Sequence, residues 1–259
     1  MAAVLFDLDG VLYEGDKVID GAAEAVDWFV TNNIPHLFLT NTTSKPRSAL
    51  VEKLAGYGIS TDEDEYLTPP IAAVQLLKKR NVKTISLFVP EVTKAEFSEF
   101  TLSDNEGDSV DAVVIGDLAA GWSFKKLNLA FRLLMSNPQC SLVALGMTRY
   151  WRTEYGLQLD AGPFVKALEY ATGREVMVTG KPASDFYNAA RDKLNNASDM
   201  VMVGDDIRGD VEAAQKAGLQ AIQVRTGKFS TGDLSLGVIP DAILDSVSDL
   251  PQWWQKNMI

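Results

Sequence analysis

One cysteine and one histidine are all that 259 residues supply of the side chains on which most zinc sites and many nucleophile–base pairs depend. Cys140 has no partner for an internal disulfide, and without a second cysteine or a local histidine it reads as a small buried apolar residue. His36 falls inside the apolar run HLFLT, so neither a multi-histidine zinc site nor a histidine-based triad has raw material. Positive charge is also scarce: 24 Lys and Arg face 35 Asp and Glu, a formal charge of −11. That balance argues against nucleic acid or an anionic membrane as the main partner, while leaving room for an anionic substrate in a local cationic pocket. No apolar run approaches the ~20 residues needed to span a bilayer. The first run is cut by Asp7 too early for a signal-peptide core, so a cytoplasmic protein is expected. Chemistry is left to carboxylates, hydroxyls and lysine.

What the chain does have is a hydrophobic content of 46%, enough for a sizeable core. Short β-branched or apolar runs alternate with longer amphipathic stretches, the pattern of βαβ units and a mostly parallel sheet. Strands are predicted at 3–7, 36–40, 85–89, 112–115, 142–145, 176–179, 200–204 and 221–224. In DGAAEAVDWFVTNN, Ala22, Ala25, Val26, Phe29 and Val30 share one helical face, with Asp20 as the expected N-cap. Gly218, closing AQKAGL, fits the position just past a helix end. The acidic, turn-rich TLSDNEGDSVDA and the prolines of TPP at 68–70 interrupt the middle of the chain. The expected organisation is a core from 1–69 and 178–259, with 70–177 as a separate α/β insertion.

The stretch AVLFDLDGV sets two carboxylates, Asp7 and Asp9, at the end of a predicted buried strand. Unpaired ions in an apolar site cost several kcal/mol each, so the pair needs a reason to be there. Residues i and i+2 of a strand face one side, and ligands of open parallel sheets bind at the carboxyl ends of strands. Both acids are therefore expected to project into one crevice, with Gly10 allowing a sharp exit. FLTNTTS offers Thr40, Asn41 and Thr42 as donors to phosphate oxygens at a second strand end. In VTGKPASDFY, Lys181 precedes Pro182, which suits the first position of a helix and would set the ammonium beside a helix N-terminus. VMVGDDIRGD is a third strand ending in acid. Capping and helix-dipole stabilisation account for Asp210 in the following turn, but not for Asp205, which leaves a buried strand directly.

These four pieces in this order resemble the haloacid dehalogenase-like (HAD) hydrolase superfamily: DLDGV its first motif, LTN its second, the GKP lysine its third and GDDIRGD its fourth. Their spacing is similar to the branch with a large α/β cap between the second and third motifs, subfamily IIA of the NagD type. Within it, TNTT, GLQLDAGPFVKALEYATG and GKP resemble the phospholysine phosphohistidine inorganic pyrophosphate phosphatase-like proteins. The likeness covers both flanks, and within the cap it is carried mainly by residues 156–173.

The resemblance implies a Rossmann-like doubly wound parallel-sheet core with an inserted α/β cap domain, and a phosphatase of small phosphorylated metabolites. It implies Mg²⁺ held by Asp7, Asp205 and the backbone carbonyl of Asp9, a nucleophilic Asp7, and Asp9 as general acid and base. Thr40, Asn41, Thr42 and Lys181 would hold the phosphoryl oxygens. Whether Asp206 or Asp210 assists the metal stays open. In the cap, MTRYWRTEYGLQLDAG gathers Arg149, Tyr150, Trp151, Arg152, Tyr155 and Asp160; on the cap likeness, Asp160, Ala161 and Gly162 would approach substrate. Some relatives read their substrate with a cap histidine, a ring that Ala161 and Gly162 do not offer. Asp117, which also follows a strand in AVVIGDLAAG, reads as a loop or capping residue, because it precedes Lys181 and has no acid matching Asp210. A homodimer through the cap is left open. So are phosphoryl transfer to an acceptor other than water, phosphoramidates or pyrophosphate as substrates, and a non-catalytic phosphate-binding module.

Overall fold

The computed structural model describes residues 2–153 and 156–258. The chain forms two compact units, one from Met1–Thr40, Arg47–Leu67 and Lys181–Ile259, the other from Asn41–Pro46 and Thr68–Gly180. Among the described residues no helix is long and apolar enough to cross a membrane.

The first unit is built on a six-stranded parallel sheet in the order Ala242–Leu244, Gln220–Val224, Met200–Gly204, Ala3–Asp7, His36–Leu39, Tyr66–Leu67. Strands Ala3–Asp7 and Met200–Gly204 are buried along their whole length, as expected of a sheet covered on both faces. Val4, Phe6, Phe38, Val201, Val203 and Ile222 pack into one cluster with Phe29 and Trp254. Phe29 stands edge-on to Phe6 at 5.4 Å and to Trp254 at 5.1 Å between ring centroids, an arrangement that adds to area burial. The first strand is central, with its sequence successors on one side and Met200–Gly204 on the other. The order therefore reverses between Ala3–Asp7 and Met200–Gly204, the kind of crevice where such sheets bind ligands.

Two local expectations change here. Helix Ala22–Thr31 starts from Gly21 in a left-handed conformation rather than from an Asp20 cap, and Val30 lies 46% exposed at the margin of the buried face of Ala22, Ala25, Val26 and Phe29. Pro182 does not open a helix: the Lys181–Pro182 peptide is cis, and the helix runs Ser184–Lys193 from Ala183. Gly218 does sit just past the end of helix Ala213–Lys216, at φ 77°.

The second unit carries a five-stranded parallel sheet in the order Val176–Val178, Ser141–Ala144, Ala112–Ile115, Thr84–Phe88, Thr101–Leu102. Alternation decides its two cores: Ile85, Leu87, Val114 and Val143 fill one face, and Phe88, Val113, Ile115 and Leu142 the other. The prolines at 69–70 begin a helix, Pro69–Lys79, whose Thr68 cap accepts the Ile71 N–H at 3.5 Å; their missing N–H groups cost nothing in a first turn. Helices Phe124–Ser136 and Ala161–Thr172 and the antiparallel hairpin Tyr150–Thr153 with Gly156–Leu159 complete it.

The aromatic cluster yields a stability test. Phe29→Ala is expected to destabilise the chain by about 3–5 kcal/mol, because a fully buried ring leaves a cavity, whereas Val30→Ala should stay within about 0.5 kcal/mol. Urea unfolding followed by tryptophan fluorescence checks the contrast, and equal effects would contradict the packing described.

Candidate active site

Strand Ala3–Asp7 ends in Asp7, and the register that pairs Phe6 with Val203 brings Asp205, one residue past Gly204, to the same edge. Both side chains are buried, with Asp7 6% and Asp205 1% exposed. The third member of the group is Asp210, 1% exposed; one oxygen from each of the three carboxylates lies within 4.8 Å of the others. Lys181, 7% exposed, lies among them, its Nζ 2.6 Å from Asp7 Oδ1 and 2.7 Å from Asp210 Oδ1.

Asp210 has a larger part than the sequence assigned to it. The N-cap is Asp206, whose carboxylate accepts the N–H groups of Arg208 at 3.0 Å and Gly209 at 2.8 Å and opens the π-helical turn Ile207–Glu212. Asp210 instead points into the interior, accepts the Asp206 N–H at 3.2 Å and pairs with Lys181. A signal existed: Asp210 shares the helical stripe of Ile207 and Ala214, both buried, so an acid there faces inward. The Tyr187 hydroxyl reinforces the turn by donating to the carbonyls of Gly209 at 3.1 Å and Asp210 at 3.3 Å.

Asp9 departs from expectation in the opposite direction. The strand ends at Asp7, so period-two alternation no longer governs position 9; Asp9 is exposed and outside the carboxylate group. Thr40 follows strand His36–Leu39 at the same carboxyl edge and is buried. Asn41 and Thr42 begin the second unit. Asp160 there caps helix Ala161–Thr172, accepting the Ala161 N–H at 2.6 Å, and burial raises its carboxyl above the usual range. Gly162 donates to the Thr148 carbonyl at 3.0 Å, and a Cβ on it would sit 2.6 Å from the Met147 oxygen. Asp117 accepts the Ala119 N–H at 2.9 Å, as a loop-capping residue does. Tyr155 lies outside the described residues.

A loop with no signature in the sequence completes the surroundings of Asp205. After strand Gln220–Val224 the chain turns back, and the Lys228 N–H donates to Asp205 Oδ2 at 2.7 Å. Cβ atoms on Gly10 and Gly227 would fall 2.0 and 2.2 Å from that same oxygen, and both glycines have positive φ, so no other residue fits either place. The other oxygen, Oδ1, is buried with no hydrogen-bond partner.

The electrostatics describe a group short of positive charge. Three carboxylates and one ammonium sum to two negative charges when ionised. Burial lifts the Asp7 carboxyl to about 7 against the pull of Lys181, and lifts Asp205 to about 6 against the Lys228 N–H. Burial alone would depress the Lys181 ammonium, but the carboxylates of Asp210 and Asp7 outweigh it and hold its pKa above the ordinary value. A hard divalent cation fits this donor set: all-oxygen ligands, two surplus charges and an orphaned buried carboxylate oxygen.

Comparison with known proteins identifies the family. A haloacid dehalogenase-like hydrolase family model matches residues 4–103, and an HAD-hydrolase-like model matches 178–250. Phospholysine phosphohistidine inorganic pyrophosphate phosphatase of Bos taurus is 39% identical over 235 residues, covering 89% of this chain and 85% of its own. Among solved structures, a hypothetical protein of Pyrococcus horikoshii superposes with a TM-score of 0.89 at 28% identity, covering 98% of this chain and 99% of its own. NagD from E. coli gives 0.84 at 25% identity, covering 95% and 97%. With the parallel sheet, the acids at its carboxyl edge and these matches on both flanks, the chain belongs to the haloacid dehalogenase-like hydrolases.

Proposed function

We propose that this chain is a Mg²⁺-dependent phosphatase of small phosphorylated metabolites, phosphoramidates and pyrophosphate included, working through an aspartyl-phosphate at Asp7. The observation that carries the reading is the buried Asp7 carboxylate held by Lys181 at the edge it shares with Asp205 and Asp210. The names of the relatives support hydrolysis of a phosphoryl group, the one from Bos taurus naming phospholysine, phosphohistidine and inorganic pyrophosphate.

In this reading an Asp7 oxygen attacks phosphorus as the bond from phosphorus to the leaving oxygen or nitrogen breaks, and Asp9 donates a proton to the leaving atom. Water then attacks the phosphorus of the aspartyl-phosphate; Asp9, now ionised, takes its proton, and the bond between phosphorus and Asp7 breaks to regenerate the carboxylate. The exposed Asp9 suits a group that must exchange protons with water and reach a leaving group outside the buried cluster. Lys181, fixed by its two ion pairs, offsets charge on the transferring phosphoryl oxygens with no reorganisation. Thr40, Asn41 and Thr42 are assigned as phosphate donors. Asp7 and Asp205, with the Asp9 carbonyl, are assigned to hold Mg²⁺, and Asp210 steadies Lys181. When bound, the cation supplies charge neutralisation and orientation of the phosphoryl group.

Four outcomes test this. Asp7→Asn should abolish hydrolysis of a phosphometabolite panel while the far-ultraviolet circular dichroism stays that of the parent, since an amide of the same shape is a poor nucleophile; activity within about tenfold of the parent would exclude Asp7 from the role. Asp9→Asn should lower kcat by roughly 10²–10⁴ with Mg²⁺ affinity retained.

Lys181→Ala should lower kcat/KM by roughly 10² or more. It should also cost about 3–5 kcal/mol of stability, because Asp7 and Asp210 are left buried without their shared counter-charge. Normal kinetics and normal unfolding together would remove Lys181 from the site.

Excess chelator should abolish hydrolysis, Mg²⁺ should restore it, and Ca²⁺ should restore little, since its larger and more flexible shell misplaces the phosphoryl group. Full turnover in chelator would refute the metal requirement.

A further inference from the structure

We propose that Thr226 is a positioning residue for Asp205: its hydroxyl latches the loop that orients this carboxylate toward the cation, an inference that rests on the metal-dependent reading above. The latch is specific in its atoms. Thr226 Oγ1 donates to the Gly10 carbonyl at 2.5 Å, tying the loop after strand Gln220–Val224 to the turn after strand Ala3–Asp7. One residue on, the Gly227 N–H donates to Glu14 Oε1 at 2.5 Å. One further on, the Lys228 N–H donates to Asp205 Oδ2 at 2.7 Å.

Three consecutive residues thus make two anchoring bonds and one bond to the carboxylate. The anchors decide where the third donor stands. With the loop held, Asp205 Oδ2 is packed between the bare α-carbons of Gly10 and Gly227 and bonded to Lys228, which fixes the carboxylate and leaves Oδ1 as its unpartnered oxygen. A ligand whose one oxygen is committed to a backbone N–H presents the other in a set direction, the usual work of groups around a metal site. Lys228 is hydrogen-bonded to Asp205 through its backbone N–H, so the bond depends on the path of the loop, which Thr226 and Glu14 anchor.

The test uses the full chain and Mg²⁺ alone as the probe. The half-saturating Mg²⁺ concentration is read from the metal-induced rise in melting temperature, each variant measured against its own value in chelator. Thr226→Val keeps the shape and removes the hydroxyl; it should raise the half-saturating Mg²⁺ about 10–100-fold. At saturating Mg²⁺, its kcat for a chromogenic aryl phosphate should fall by much less. Thr226→Ser should restore parental Mg²⁺ binding. Glu14→Ala, at an exposed position, should shift Mg²⁺ binding in the same direction, and Glu14→Gln, which keeps an acceptor, should not.

Asp205→Asn separates the two levels of inference. If the parent is stabilised by Mg²⁺ and Asp205→Asn is not, the metal reading stands, and a half-saturating Mg²⁺ within about twofold of the parent in both Thr226→Val and Glu14→Ala overturns the latch alone. If the parent itself shows no Mg²⁺ response, both inferences fall.

Discussion

The structure of the first unit turns on one buried ammonium. Lys181 lies between Asp7 and Asp210, and its partner Asp7 is 174 positions away in the chain. Burying either charge without its counter-charge would be strongly destabilising, so the ammonium and its two carboxylate partners depend on one another. The contact therefore fixes more than a local geometry. It requires the strand from the amino terminus and the helical turn after Met200–Gly204 to meet the residue that reopens the core after the second unit. Parallel pairing of Ala3–Asp7 with Met200–Gly204 supplies the same closure through the backbone, so sheet register and charge pairing specify one arrangement.

Much of this was legible in the sequence where the physics is periodic. A strand covered on both faces must be apolar at every position, and Ala3–Asp7, Ala112–Ile115 and Met200–Gly204 stand at the predicted residues for that reason. The strands that escaped notice carry no such signature. Tyr66–Leu67 and Thr101–Leu102 are two residues long, and the hairpin of Tyr150–Thr153 and Gly156–Leu159 leaves Tyr150, Trp151, Leu157 and Leu159 exposed, so no buried face marks its period. Ala242–Leu244 is an edge strand only partly buried.

For the candidate site, spacing pointed to Asp7, Lys181 and Asp205, but the use of each neighbouring acid depended on where a regular element stops. Strand alternation predicts that Asp9 shares a side with Asp7; the strand stops first, and Asp9 turns to solvent. Its place in the turn suggests that Asp210 serves a helix end; Asp206 takes that position, which frees Asp210 to face inward on the stripe of Ile207 and Ala214. Element ends are set by tertiary competition for the backbone N–H groups, which a local pattern does not contain. The loop at 226–228 is less legible still, because its work is done by backbone groups and by the lack of a side chain at Gly227.

The same charge count links the cluster to the proposed chemistry. Asp7, Asp205 and Asp210 against Lys181 give the cluster two net negative charges when ionised, and a phosphate monoester brings about −1.5 to −2 more. Hydrogen-bond donors such as Thr40 do not alter that sum. On the proposed reading, this cluster alone would repel the group it is meant to bind; the upward displacement of Asp7 and Asp205 comes first from burial, and the neighbouring carboxylates add to it against the pull of Lys181 and the Lys228 N–H. On that reading a bound dication would offset the two surplus charges and favour the ionised form of both carboxyls, the form that Asp7 needs as the proposed nucleophile. In the proposed reading charge neutrality, phosphate binding and nucleophile activation thus become one requirement, and the buried Asp205 oxygen without a hydrogen-bond partner, on a carboxylate fixed by its neighbours, is the kind of ligand atom that requirement calls for.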